Sequence, residues 1–125
     1  MQKNENRDTF NFEKLVVYQK SLDFIDFVYQ LTEKFPKSEM FGLTSQYKRA
    51  ACSIALNIGE GSGGTVAEFR NFIRISFRSL NECVVCSTVA TRRKFITEVE
   101  DQKSRQQLLE ITRMLSGLRN SLHQK

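Results

Sequence analysis

Arg70, Arg74 and Arg78 recur at four-residue spacing, and Arg92 falls at nearly the same helical angle. On a helix, these four would form one stripe of guanidinium groups. Like charges at this spacing repel by roughly a few tenths of a kcal/mol per pair, a cost that phosphates or facing carboxylates would offset. Arg93, Lys94, Lys48 and Arg49 could widen the basic surface. The stripe is therefore the candidate contact with RNA or DNA. It would position phosphates rather than read bases. A solvated face, or ion pairs with acids of the first helix in a neighbouring copy, would use the same residues.

Other residue sets fall short of chemistry. Gly59, Gly61 and Gly64 spell the dinucleotide fingerprint GxGxxG. That motif works where a strand feeds a tight turn, whereas the preceding ACSIALNI reads as a helix of small residues. A helix end and a turn are expected there. Cys83 and Cys86 form CxxC inside a helical pattern, with no second pair and no nearby histidine to complete a metal set. The single histidine, His123, lies near the C-terminus, which leaves a di-metal carboxylate bundle or a nucleophile–histidine pair without its base. The chain is expected to need no cofactor or metal and to have no enzymatic activity.

A line of polar residues invites a structural role instead. Gln46, Ser53, Asn57 and Glu60 project from similar angles of the second helical segment. Ser76, Ser79 and Glu82 could meet them from the third. Buried polar groups must be satisfied, so these residues are expected to form a network that fixes helix register, with Ala50, Ala51 and Ala55 permitting close approach.

These sets must be positioned by helices. The chain of 125 residues has one proline and six glycines, four of which cluster at Gly59, Gly61, Gly63 and Gly64. Apolar residues at helical spacing predict a first helix from about 12 to 35, ended by Pro36. A second is expected to start with Thr44 as N-cap and run to the glycines. Thr65 with Glu68, and Thr97 with Glu100, each spell a capping box, opening a third helix to about Lys94 and a fourth nearly to the C-terminus. Short connections make neighbours antiparallel. The expectation is one all-α domain, an antiparallel up-and-down four-helix bundle over residues 12–125 behind a flexible tail, 1–11.

The bulk properties agree with a small globular domain, 40% hydrophobic and with a net charge of +5. No run approaches the roughly 18 apolar residues of a membrane span, and MQKNENRDTF lacks the apolar segment of a secretory signal. Together with three cysteines (Cys52, Cys83 and Cys86), an odd number read as reduced thiols, this predicts a cytoplasmic protein with no membrane partner.

The first helix carries more apolar surface than one bundle covers. Val17, Phe24, Phe27, Val28, Leu31 and Phe35 lie on one side, and Tyr18, Leu22, Ile25 and Tyr29 on another. In the third, Phe69, Phe72, Ile73, Leu80, Cys83 and Val84 supply a core stripe, while Ile75, Cys86 and Val89 lie apart. Left in water, several such side chains forfeit several kcal/mol, at roughly 25 cal/mol per Å2, that self-association would recover. A homo-oligomer is expected; a twisted bundle or covering loops would be the other outcome.

The run FPKSEMFGLTSQYKRAACSIALNIGEGSGGT, followed by EFRNFIRISFRSLNE, resembles the bacterial four-helix-bundle proteins encoded in intervening sequences of 23S ribosomal RNA genes. Phe12 to Leu15 with Tyr18, the Pro36 to Glu39 turn, the Leu43 to Gln46 helix start and the Asn57, Glu60, Gly61 cluster carry the likeness. The resemblance implies an up-and-down bundle and a ring-like homopentamer. A related branch comprises accessory proteins of diversity-generating retroelements, basic pentamers that bind nucleic acid and a reverse transcriptase. Two functional expectations follow. One is a non-enzymatic, oligomeric nucleic-acid-binding protein, most simply for RNA. The other is a scaffold or accessory subunit that docks a partner protein such as a reverse transcriptase.

Overall fold

The structure, a computed structural model, describes residues 7–122. Its helices are α1 (Val16–Thr32), α2 (Leu43–Ser62), α3 (Val66–Arg92) and α4 (Glu98–Ser121), with 3-10 turns at Asn11–Lys14 and Lys37–Glu39. Each helix packs against two others in the cyclic order α1, α2, α3, α4, and α2 against α3 is the most extensive pairing. This is the expected up-and-down bundle. Among the described residues there is no strand, and no helix is long and apolar enough to cross a membrane. Of the expected tail, residues 1–6 lie outside the described residues, as does His123, while Asn11 already belongs to the first 3-10 turn.

Two helix starts follow the sequence directly. The Glu68 amide donates to Thr65 Oγ1 at 3.1 Å, and the Thr65 amide donates to Glu68 Oε1 at 2.8 Å. Thr97 and Glu100 repeat the arrangement at 3.1 and 2.9 Å. Each box satisfies two amides that a helix end leaves unpaired. The Thr65 amide holds the Glu68 carboxyl below its ordinary pKa. Glu100 is lowered first by its hydrogen bond from Lys34, in the turn that follows α1, and then by the Thr97 amide.

The start of α2 differs from expectation. Thr44 lies inside the helix, Gly42 occupies the cap position, and Glu39 Oε1 accepts from the Leu43 amide at 3.1 Å. A carboxylate delivered by the preceding turn does the work expected of the Thr44 hydroxyl, and its charge suits the positive end of the helix dipole. The start of α1 also moves. Leu15 adopts an extended conformation and separates α1 from the 3-10 turn. That turn seats the Phe12 ring against Gly59, where a Cβ would come within 3.2 Å of it, and edge-on to Tyr18 at 5.1 Å.

Helix α2 passes through Gly59 and Gly61 and stops only at Ser62, with Gly63 as its C-cap. A Cβ on Gly61 would sit 2.6 Å from Phe72 Cβ and 2.9 Å from Phe69 Cδ1. Only glycine permits this approach of α2 to α3, which accounts for Gly61 in structural terms. Phe24, Tyr47, Ile54, Ile73, Ile111 and Leu115 fill the interior. Cys86 is buried there too, correcting its expected place on a second apolar side. Tyr47 Oη and Ser104 Oγ share a hydrogen bond of 2.7 Å, and burial pushes the Tyr47 phenol up to about 12. Every buried side-chain nitrogen and oxygen among the described residues has a partner.

Candidate nucleic-acid interface

The arginines of α3 meet different fates. Arg74, Arg78 and Arg92 are exposed on one face of the helix. Arg74 Nη2 donates to Asn71 Oδ1 at 3.0 Å, and none of the three has a carboxylate partner among the described residues. Arg70 is half-buried, its Nη2 donating to the Leu122 carbonyl at 2.5 Å, where it satisfies an acceptor at the end of α4. It anchors one end of the stripe and faces solvent less than expected.

The flanking basic residues spread apart. Arg93 caps α3, and Lys94 follows in the left-handed region at φ 63°. The Lys94 amide donates to Thr91 O at 3.0 Å and the Phe95 amide to Ala90 O at 2.9 Å, a Schellman ending. Lys94 thus has a backbone task. Lys48 Nζ sits 4.5 Å from the centre of the Tyr29 ring and belongs to the α1–α2 side. Arg49 is exposed on α2, and the Ser53–Ser79 contact places it level with Cys83 and Glu82 of antiparallel α3.

Helix α4 supplies basic residues that the sequence pattern hid. Its register against α3 is set by Ser87 Oγ donating to Asp101 Oδ1 at 2.5 Å, Arg105 Nη2 donating to Thr88 Oγ1 at 2.6 Å, and Arg119 over the Phe77 ring at 5.2 Å. Arg105 and Arg119 therefore join the α3–α4 flank, and Arg113 is exposed on α4 between them. The three make no four-residue ladder, so only the helix pairing reveals that Arg105 and Arg119 lie beside α3.

The expected polar network is smaller than the sequence suggested. Ser79 Oγ donates to Ser53 Oγ at 2.8 Å, Asn57 Nδ2 donates to Ser53 Oγ at 2.9 Å and to its carbonyl at 2.7 Å, and Ser76 Oγ donates to the Ile54 carbonyl at 3.0 Å. Gln46, Glu60 and Glu82 are exposed and make no side-chain hydrogen bond among the described residues. Their flexible side chains reach water from the edge of the α2–α3 seam, so the network is one of small hydroxyls around Asn57.

The opposite flank, between α1 and α2, is apolar. Tyr18, Leu22, Ile25, Cys52 and Leu56 line a groove of about 520 Å3, with the Glu60 side chain at its edge. Leu56 is 60% and Tyr29 46% exposed. Cys52 is half-buried here, while Cys83 and Cys86 are buried within the bundle. Burial raises both of those thiols, Cys86 to about 11, and no group of three His, Cys, Asp or Glu side chains among the described residues could hold a metal ion.

Fold and surface together define a class: a small up-and-down bundle with one arginine-bearing flank and one apolar flank. The chain belongs to the 23S rRNA-intervening sequence protein family, whose profile matches residues 13–117. It is similar in structure to a crystal structure of a protein of unknown function from the S23 ribosomal protein family of Bacteroides thetaiotaomicron, with a TM-score of 0.77 and 25% sequence identity over 85% of this chain and 100% of that one. No protein with a curated description matches this chain.

Proposed function

We propose that this protein acts by binding structured RNA through its α3–α4 flank, without catalysis, as an assembly of several copies. The observation that carries the reading is the set of exposed arginines, Arg74, Arg78 and Arg92, that face solvent with no carboxylate partner among the described residues. Arg105 and Arg119 of α4 extend the same flank. Guanidinium groups on a rigid helix face suit phosphates, and the family's name, which ties it to 23S rRNA genes, makes ribosomal RNA the first ligand to test. Burial of Cys83 and Cys86, which raises both thiols, speaks against nucleophilic thiol chemistry at these two residues. Self-association rests on the apolar α1–α2 groove, and five copies is the number the family resemblance suggests.

Titrating an RNA hairpin by fluorescence anisotropy at salt concentrations from about 50 to 200 mM tests this reading. Affinity is expected to fall steeply and log-linearly with salt. Arg74→Gln and Arg78→Gln should each reduce the slope by about one. Binding that ignores salt, or that survives both substitutions together, would remove the basis for the proposal. The apolar groove also favours a second reading, a scaffold that docks a partner protein such as a reverse transcriptase. Capture of a protein that persists after nuclease treatment would select that alternative.

A further inference from the structure

The α3–α4 flank holds a recess as well as charges. Between the two helices lies a pocket of about 370 Å3, within the usual size range of small-ligand sites. Its floor is apolar, made by Leu80, Val84 and Leu108. Its rim carries Asn81, Gln102 and Arg105. Asn81 and Gln102 are exposed, and each presents both a donor and an acceptor.

Arg105 is pre-set. Its Nε donates to Asp101 Oδ2 at 2.9 Å and its Nη2 to Thr88 Oγ1 at 2.6 Å. Both partners are themselves held, Asp101 Oδ1 by Ser87 Oγ and Thr88 Oγ1 by its own bond to the Val84 carbonyl at 2.8 Å. Two of the five guanidinium N–H groups are thus committed. The others have no hydrogen-bond partner among the described residues. A guanidinium fixed beside an apolar floor loses little freedom on engaging a ligand.

We propose that this pocket takes one unpaired nucleobase of a bound RNA, stacked over the apolar floor and Arg105 with its edge hydrogen-bonded by Asn81 and Gln102. The proposal rests on the α3–α4 flank being the RNA-binding face. An inorganic anion would gain nothing from Leu80, Val84 and Leu108, and an aliphatic ligand nothing from the amides. A flat heterocycle with alternating donors and acceptors uses both. Charge places the strand as well, since Arg78 lies three residues before Asn81 on the same face of α3, and exposed Arg113 lies one turn beyond Leu109 of the pocket wall on α4. Phosphates on those arginines would hold the intervening base over the recess. A base inside an A-form duplex cannot enter it, so the base must be bulged or looped out.

Two hairpins with the same stem test the proposal, one fully paired and one carrying a single bulged 2-aminopurine. The bulged hairpin is expected to bind about tenfold more tightly, the usual value of one stacked base, with a change in the fluorescence of its probe. Asn81→Ala with Gln102→Ala should abolish that preference and leave affinity for the paired hairpin unchanged. Both residues are exposed, so the bundle stays intact. Equal binding of the two hairpins, still salt-sensitive and still dependent on Arg74 and Arg78, would overturn the pocket and leave the RNA-binding face standing. Binding of neither hairpin would overturn both. Adenosine monophosphate that binds in an Asn81- and Gln102-dependent way, with no preference between hairpins, would make a free nucleotide the occupant and overturn the strand.

Discussion

Lys94 shows how a residue chosen for its charge turns out to be held by its backbone. It closes α3 with φ at 63°, the conformation that glycine adopts most readily at the end of a helix. Lysine there bears a steric strain of about 1–2 kcal/mol, against which glycine would cost about 0.5–1 kcal/mol in unfolded-chain entropy. Lys94→Gly is therefore expected to stabilise the protein by about 0.5–1 kcal/mol, read as a higher urea midpoint at unchanged slope. A lower midpoint would mean that the lysine side chain, and not the turn, decides what stands there. The sequence could not reveal this, because a left-handed lysine is spelled like any other. Gly61 was more legible. Its place in the Asn57, Glu60, Gly61 cluster singled it out, and the Phe72 Cβ at 2.6 Å from a would-be methyl supplies the reason.

At the scale of elements, local signals served best where both partners of an interaction lie within one turn. The Thr65 and Thr97 boxes set the starts of α3 and α4 as the sequence indicated. The cap of α2 comes from Glu39, outside the helix and in a turn whose shape no spacing rule records, so spacing alone points to Thr44 instead. The α2–α3 seam divides in the same way. Ser53, Asn57 and Ser79 are short enough to stay between the helices, while Gln46, Glu60 and Glu82 share the same angles and extend to water. Alanine has the better helix propensity at Ser53 and Ser79, so single substitutions mix two effects. A double-mutant cycle separates them. Ser53→Ala with Ser79→Ala should show a favourable coupling of about 0.5–1.5 kcal/mol by urea denaturation, and Glu60→Ala with Glu82→Ala none. Zero coupling between the serines would remove their role in holding register.

Across the whole molecule, the cyclic order of helices places the α1–α2 groove opposite the α3–α4 flank. Copies joined through the groove would each present arginines outward, so one assembly would offer an RNA several basic faces at once. The surplus on α1 was visible on a helical wheel, and Tyr18, Leu22 and Ile25 do line the groove. Which residues the neighbouring helices cover is not legible on the wheel of a single helix, so Cys86 falls there on the wrong side. Substituting neutral, polar side chains at the groove isolates its contribution. Ile25 is half-buried and Leu56 exposed, so Ile25→Gln with Leu56→Gln should leave the bundle folded while lowering the sedimenting mass to the 14.5 kDa of one protomer. RNA affinity should fall about a hundredfold through lost multivalency, with the arginines untouched. A wild-type protein that already sediments as a single protomer would leave the groove without a second copy to fill it. Unchanged RNA affinity in a dissociated variant would instead assign all binding to one α3–α4 flank.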